Sequence, residues 1–255
     1  MIRTLAVIVV LLVITPVLAT TVLVARVLGV RDRQGSIYDR VPRIWARAIL
    51  AAAGVRVVVH GAHRLAVTGP RIYVANHVSW FDVFTLAAVL PHYKFVGKAE
   101  LFRIPLFGAA ARAAGMIPIE RENRMAAFQS YDTAVQRIRA GASVVVYPEG
   151  TRGRSYALRP FKKGPFVLAT AAQVPVVPIV LHGTLEIMRK GSCRIGSGRV
   201  DVHVLEEIQT AGLGYEDRDR LARTCWERMA ALLLHEYGVS SPSPYERTKT
   251  TIEST

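Results

Sequence analysis

A histidine and an aspartate lie five positions apart in the stretch NHVSWFD, which covers residues 76–82. In one continuous helix the side chains of His77 and Asp82 would point about 140° apart, so they would not meet. They meet if His77 lies in a loop and Asp82 lies in the first turn of the helix that follows. The sequence allows this arrangement, because Ser79, three residues before Asp82, is typical of a capping box at a helix start.

A paired imidazole and carboxylate make up two-thirds of a Ser-His-Asp triad. A neutral His77 imidazole can take a proton from an alcohol, and Asp82 would fix its tautomer and stabilise the imidazolium that forms. The nucleophile would then be a hydroxyl of the substrate, which attacks a carbonyl directly without an acyl-enzyme. The alternative interpretation is a surface histidine beside a capping aspartate.

Two further polar motifs follow β-branched runs that predict strands. The stretch YPEGTRGR covers residues 147–154, and a glycine, a threonine and an arginine at a strand end suit a phosphate group. The stretch IPIER ends in Arg121, another candidate for phosphate binding. The alternatives are a surface turn in which Glu149 and Arg152 form a solvated ion pair, and an ordinary surface charge at Arg121.

Short apolar strands alternate with helical stretches beyond Gly54, and these elements must position the motifs. The predicted strands cover residues 55–61, 71–77, 93–97, 116–120, 143–148 and 174–183, followed by a hairpin over 192–208 that turns at residues 196–198. The predicted helices cover residues 79–90, 101–115 as a broken helix, 127–138, 165–173 and 216–237. This alternation predicts an α/β fold, a single mixed-sheet domain flanked by helices.

Three segments are expected along the chain. Residues 1–54 would form N-terminal membrane-anchoring helices, residues 55–238 the globular domain, and residues 239–255, which are polar and rich in proline and serine, a loose tail.

Composition limits the partners without choosing among them. The 255 residues carry a net charge of +14, from 33 Lys and Arg against 19 Asp and Glu, and this favours phospholipid head groups, nucleic acid or phosphorylated substrates. Cys193 and Cys225 are the only cysteines, which argues against a disulfide scaffold or a structural zinc site and for a reducing, cytosol-facing location. The six histidines other than His77 show no ligand spacing, and we expect structural or solvent-facing roles for them.

The N-terminus predicts attachment to a membrane. The run from Leu5 to Ala25 contains no charged residue, and its length is about what a helix needs to cross roughly 30 Å of hydrocarbon. A cleaved signal peptide is the alternative, although the apolar run continues past its candidate cleavage site before Thr20. Arginines are concentrated after the run, so the positive-inside rule places the rest of the chain in the cytoplasm. A second, amphipathic helix is predicted to end near Gly54.

Four blocks, in this order, resemble the glycerolipid acyltransferase family typified by 1-acylglycerol-3-phosphate (lysophosphatidic acid) acyltransferase. They are NHVSWFD, then GKAELFRIPLFG with GMIPIER, then YPEGTR with RPFKKGPF, and finally VPVVPI. Together they span residues 76–179. By this resemblance His77 is the general base, Asp82 is its partner, and Lys98 lies near the reacting carbonyl. The same resemblance assigns the phosphate site of the acceptor to Arg121, Glu149, Gly150, Thr151 and Arg152.

The resemblance implies transfer of a fatty acyl group from acyl-CoA or acyl carrier protein to lysophosphatidic acid, giving phosphatidic acid. It implies no metal, and no cofactor apart from the acyl donor. The implied partners are membrane lipids and a lysophospholipid, and nucleic acid is not among them. The catalytic domain would lie on the cytoplasmic face of the cell membrane. Another acceptor is the nearest alternative: a different lysophospholipid, a lyso-ornithine lipid or a glycolipid precursor. A metal-dependent hydrolase with His77 and Asp82 as ligands, and a non-catalytic membrane adaptor, are alternatives of another class.

Overall fold

Two helices precede the sheet in the computed structural model, which describes residues 1–120 and 124–245. They are α1 (Ile2–Val27) and α2 (Ile37–Ala53). The α2 helix ends at Gly54, as predicted, with a φ of 68°, a left-handed conformation that glycine adopts without strain.

In the described residues seven strands form one sheet, and the sheet is mixed, as predicted. They are β1 (Val55–His60), β2 (Ile72–Ala75), β3 (Tyr93–Lys98), β4 (Ile117–Ile119), β5 (Ser143–Val146), β6 (Val176–His182) and β7 (Gly198–Val204). Their order across the sheet is β1-β7-β6-β2-β5-β3-β4, and every neighbouring pair is parallel except β6 and β7. The carboxyl ends of β2 to β6 therefore share one edge, which we call the C-terminal edge.

Helices cover both faces of the sheet. They are α3 (Phe81–Val89), α4 (Phe107–Ala113), α5 (Arg124–Arg139), α6 (Gly164–Ala172), α7 (Thr184–Ile187) and α8 (Arg218–Tyr237). Successive side chains of a strand point to opposite faces. In β2, Ile72 and Val74 pack with α5, α6 and α8, whereas Tyr73 and Ala75 pack with α2 and α3. Burial on both faces explains why the central strands are continuous apolar runs in the sequence.

The predicted hairpin over residues 192–208 is wrong. Only β7 forms there, and it lies between β1 and β6, parallel to the first and antiparallel to the second. The backbone N–H of Gly196 donates instead to the carbonyl of Ile187, 2.8 Å away, at the end of α7. Residues 192–197 contain a single aliphatic side chain, Ile195, and this is too little apolar surface for a partner strand.

The α1 helix is long and apolar enough to cross a membrane, by length and composition alone. One side of it packs on the protein along its length. Thr4 Oγ1 accepts the N–H of Ile195 at 3.1 Å, and Trp45 Nε1 donates to Thr15 Oγ1 at 2.9 Å. The other side exposes large apolar residues, namely Leu5, Ile8, Val9, Leu12, Val13, Val17 and Val24. An apolar face of this size marks a surface that meets a membrane or another protein.

The α2 helix belongs to the same hydrophobic core as the strands. Ala46, Ile49 and Leu50 are buried in the cluster that also contains Tyr73 and Leu181. The proposed division of the chain at residue 54 stays a prediction.

Candidate active site

The loop between β2 and α3 brings His77 and Asp82 together. Nδ1 of His77 lies 2.8 Å from Oδ2 of Asp82, and their side chains are 12% and 0% exposed. A carboxylate only accepts hydrogen bonds, so Nδ1 carries the proton in this tautomer. The other ring nitrogen, Nε2, is then the one that can accept a proton from a substrate.

Asp82 is held by donors on both of its oxygens. Its Oδ2 accepts the backbone N–H groups of Val78 and Ser79, each at 2.7 Å, in addition to His77. Its Oδ1 accepts the hydroxyl of Thr184 at 2.5 Å. Four hydrogen bonds to this fully buried carboxylate compensate for its loss of hydration.

Ser79 was expected to be the N-cap of α3, and its hydroxyl does accept the N–H of Phe81 at 3.2 Å, but it lies one residue before the N-cap position. The α3 helix begins at Phe81 with Trp80 at the N-cap position, two residues after the start of the predicted range of 79–90. The hydroxyl of Ser79 donates to the carbonyl of Met188 at 2.7 Å. Only half of the predicted capping box is present, namely the bond from the Ser79 N–H to Asp82. The partner Met188 follows α7 and is far from Ser79 in the sequence, so the spacing of residues around Ser79 does not predict this hydrogen bond.

The imidazole of His77 lies against the ring of Tyr147, which follows β5. The ring centroids are 4.0 Å apart and the planes differ by 18°. Burial raises the pKa of the Tyr147 phenol well above its ordinary value, so the ring is neutral at physiological pH. This contact fixes the plane of the imidazole and limits the access of water to it.

Glu149 holds the backbone of His77. Its Oε1 accepts the His77 N–H at 2.9 Å, and its Oε2 accepts Arg159 Nε at 3.0 Å. Burial raises the pKa of the Glu149 carboxyl, against the lowering effect of these hydrogen bonds. The resemblance places Glu149 in a phosphate site, but its carboxylate faces protein donors. In this structure it positions His77.

A second backbone contact joins the loop of His77 to the glutamate-glycine-threonine-arginine turn, residues 149–152. The N–H of Gly153 donates to the carbonyl of His77 at 2.7 Å. Gly150 has a φ of 75°, and a Cβ at this position would lie 2.7 Å from a side-chain carbon of Lys162. The turn therefore favours glycine for its left-handed backbone conformation, whereas the end of the flexible Lys162 side chain could move away from a Cβ.

Arg152 and Thr151 are the candidate phosphate ligands of this turn. The guanidinium of Arg152 lies 4.9 Å from the ring centre of Trp80. Partial burial lowers the pKa of Arg152, and the negative charge of Asp82 raises it, so Arg152 lies within electrostatic reach of Asp82. Thr151 is exposed. A cation and a hydroxyl thus border the His77–Asp82 pair, as a phosphate-bearing alcohol would require.

Lys190 is a residue of the site that sequence reasoning missed. Its Nζ donates to the carbonyl of Arg152 at 3.0 Å and lies 3.5 Å from Thr151 Oγ1. It lies outside the four blocks, after α7, and adds a positive charge beside the turn, where Arg159 also lies. A basic pair in the sequence, Arg189 with Lys190, soon after a strand end was the available signal.

Lys98 stands apart from this cluster. Lys98 is the last residue of β3, at the C-terminal edge, and its Nζ lies 2.8 Å from Glu100 Oε1 on the surface. Arg121 lies outside the described residues, and the strand before it, β4, ends at the same edge. The structure therefore brings together His77, Asp82 and the turn of residues 149–152, and it places Lys98 on the rim.

Two groups of histidines and acids elsewhere come close enough to bind a metal. In the described part of the chain they are His60 with Asp201 and His203, and Asp32 with Asp39 and His92. Each is already tied by protein contacts: Arg199 binds Asp201 through two nitrogens, and His92 Nδ1 lies 2.8 Å from Asp39. Their members come from different elements, which is why no ligand spacing is visible in the sequence. Neither group includes His77 or Asp82.

Comparisons with known proteins point in one direction. The family model described as Acyltransferase matches residues 56–182. The chain is 41% identical to a chloroplastic 1-acyl-sn-glycerol-3-phosphate acyltransferase of Brassica napus, over 52% of this chain and 40% of that protein. It is 36% identical to 1-acyl-sn-glycerol-3-phosphate acyltransferase beta of Homo sapiens, over 71% of this chain and 66% of that protein. The chain thus spans less than two thirds of each of these relatives.

A solved structure shares the fold. The crystal structure of the 1-acyl-sn-glycerophosphate (LPA) acyltransferase of Thermotoga maritima superposes with a TM-score of 0.79 at 23% identity. The superposition covers 94% of this chain and 96% of that one.

Proposed function

Because the chain belongs to the acyltransferase family, we propose that it transfers a fatty acyl group from an acyl thioester to the free hydroxyl of 1-acylglycerol-3-phosphate, giving phosphatidic acid. The observation that carries the proposal is the 2.8 Å contact between His77 Nδ1 and Asp82 Oδ2, beside a turn that holds an arginine and a threonine. The names of the curated relatives support the acceptor.

The reaction begins with proton transfer. Nε2 of His77 takes the proton of the acceptor hydroxyl as the oxygen attacks the thioester carbonyl, and Asp82 stabilises the imidazolium. The tetrahedral intermediate then collapses, the C–S bond breaks, and the thiolate takes the proton back from His77. Atoms and charge balance without a metal, and no cofactor is proposed apart from the acyl donor, acyl-CoA or acyl carrier protein.

The oxyanion of the intermediate requires hydrogen-bond donors. We assign this role to backbone N–H groups at the C-terminal edge, assisted by Lys98. Lys98 is 53% exposed, and its pair with Glu100 is a surface ion pair that solvent screens. It can therefore turn towards a bound thioester at little cost.

The acceptor phosphate is assigned to Arg152 and Thr151 of the turn, with Arg121 from the end of β4. Glu149 is not assigned as a phosphate ligand, because its carboxylate and the phosphate would repel each other. The Glu149 carboxylate also already binds Arg159.

Membrane lipids are the remaining partners in this proposal, and nucleic acid is not among them. The exposed apolar face of α1 supports attachment to a bilayer, where the acceptor and the product both reside. The arginines that follow α1 support a catalytic domain on the cytoplasmic face of the cell membrane.

The proposal is tested with the full chain purified in detergent. Lysophosphatidic acid is supplied with acyl-CoA, and in parallel with acyl carrier protein loaded with the same chain; thiol release and the lipid product are measured. Monoacylglycerol and lysophosphatidylcholine serve as acceptors without an exposed phosphate monoester. His77→Ala is compared with His235→Ala, a change at an exposed histidine of α8.

We expect phosphatidic acid from the wild type and from His235→Ala, and a loss of at least about a hundredfold in His77→Ala, the scale of a general base. Faster acyl transfer to monoacylglycerol or lysophosphatidylcholine would show that lysophosphatidic acid is not the preferred acceptor, while the proposed acyl-transfer mechanism would stand. Activity that survives in His77→Ala, or that a chelator abolishes, would overturn the mechanism.

A further inference from the structure

We propose that Thr184 is a positioning residue for acyl transfer, whose hydroxyl orients the carboxylate of Asp82 towards His77. This inference rests on the proposed function of His77 and Asp82. Thr184 Oγ1 lies 2.5 Å from Asp82 Oδ1, and both residues are fully buried. Thr184 lies 102 positions after Asp82 and outside the four sequence blocks.

The two oxygens of Asp82 have different partners. Oδ2 receives His77 and the N–H groups of Val78 and Ser79, whereas Oδ1 has the Thr184 hydroxyl as its side-chain partner. The torsion that rotates a carboxylate is broad, so donors on Oδ2 alone do not fix the plane of the group. A donor at Oδ1 completes the constraint. Removing this donor would leave a charged oxygen of a fully buried carboxylate without a hydrogen bond, which costs free energy. The carboxylate would twist, or a water molecule would enter, to restore a hydrogen bond.

The chain around Thr184 is built to hold that hydroxyl in place. Thr184 follows the end of β6 and Gly183, which has a φ of 96° and approaches the backbone of Arg199 too closely for any side chain. The hydroxyl of Tyr156 accepts the N–H groups on both sides of Thr184, those of Gly183 at 2.7 Å and Leu185 at 2.9 Å. Groups that position a catalytic carboxylate need this kind of rigid support.

The Tyr156 hydroxyl is itself oriented by Glu186, whose Oε2 accepts its proton at 2.6 Å. The end of β6 is therefore connected to the catalytic pair through Tyr156, Thr184 and Asp82. The other charged or titratable groups near the pair are Glu149, Tyr147 and Arg152, and none of them donates to Oδ1 in the described structure.

The test uses three substitutions at Thr184 and one matched control. Thr184→Val keeps the shape and removes the hydroxyl, Thr184→Ala leaves room for a water, and Thr184→Ser restores the hydroxyl. The control is Thr85→Val: Thr85 is also fully buried, and its hydroxyl has no hydrogen-bond partner in the described part of the chain. Each full-length variant is assayed for kcat and KM with lysophosphatidic acid and acyl-CoA, and thermal unfolding checks that it folds.

We expect kcat to fall by about threefold to thirtyfold in Thr184→Val, part of the value of a hydrogen bond to a charged group, while KM changes by less than about twofold. The kcat of Thr184→Ala should lie between those of Thr184→Val and the wild type. The kcat values of Thr184→Ser and Thr85→Val should stay within about twofold of the wild-type value. A purely structural role would not produce a kcat loss that serine restores.

A second readout does not depend on turnover. In protein with 15N-labelled histidine, the Nδ1–H resonance of His77, identified by its absence from His77→Ala, reports the hydrogen bond to Asp82. It should move in Thr184→Val and return in Thr184→Ser. The proposal is wrong if a folded Thr184→Val or Thr184→Ala variant keeps both the wild-type kcat and the wild-type resonance. It is also wrong if Thr184→Ser shows the same loss of kcat and the same shifted resonance as Thr184→Val. If the wild type does not acylate lysophosphatidic acid, the proposed function fails, and the resonance alone decides the role of Thr184.

Discussion

Replacing Asp82 with asparagine removes a charge from the site while keeping its shape. Asparagine can place its oxygen where Oδ2 lies, so that it still accepts from His77, Val78 and Ser79. Its NH2 group then points at Thr184, whose hydroxyl can reverse and accept. We therefore expect Asp82→Asn to fold with the imidazole in nearly its native position.

The expected loss of rate follows from the missing charge. The imidazolium formed in the transition state and the carboxylate lie about 4 Å apart between their charge centres, which is worth about 4 kcal/mol at an effective dielectric constant of about 20. A barrier that rises by this amount lowers kcat by about a thousandfold, since about 1.4 kcal/mol corresponds to a factor of ten. The absence of exposure at Asp82 means that water does not screen this attraction.

The assay is steady-state thiol release from acyl-CoA with saturating lysophosphatidic acid, with phosphatidic acid confirmed by mass spectrometry. Asp219→Asn is the matched control, because Asp219 is a half-exposed aspartate on α8 that pairs with Lys163. It should retain the wild-type kcat. A folded Asp82→Asn whose kcat stays within about threefold of the wild type would refute the reasoning.

Three other changes test the framework of the site. Gly150→Ala imposes a φ of 75° on a residue with a Cβ and displaces Lys162, so chemical denaturation should show about 1–2 kcal/mol of lost stability; an unchanged midpoint would contradict the strained turn. Burial lowers the pKa of His182, so the unfolded chain takes up its proton at a higher pH than the folded protein does, and stability should fall as the pH drops from about 7 to 5. His182→Phe should flatten this dependence in thermal unfolding, and an equally steep curve would exclude this histidine as a cause. Lys94→Met leaves Asp32 and a backbone carbonyl without their buried cation, so it should cost about 1–3 kcal/mol in the same measurement; wild-type stability would show that the pair is dispensable.

Much of the fold was predictable because its signals are local. Strands buried on both faces appear as apolar runs, and β2, β5 and β6 lie where those runs lie. The hairpin failed because β7 pairs with β6 and β1 and not with the residues just before it. Its pairing with β1 joins Val55 to Gly198, and no turn residue in the sequence encodes that choice.

The site was predictable to the extent that its members share a motif. The spacing of His77 and Asp82 and the turn of residues 149–152 were visible in the sequence. The contacts of Glu149 and Thr184 with that pair were not, because they depend on which strand ends come together at the C-terminal edge. A carboxylate after a strand suits either substrate binding or a backbone contact, and only the fold shows that Glu149 accepts the His77 N–H.

The central claim is that the His77 imidazole deprotonates the hydroxyl that attacks the thioester. Single-turnover kinetics measure this step directly, with enzyme in excess over lysophosphatidic acid, saturating acyl-CoA and rapid quenching of ester formation. The mechanism predicts that ester forms at least about a hundredfold more slowly in folded His77→Ala than in the wild type. An unchanged rate constant for ester formation would contradict it.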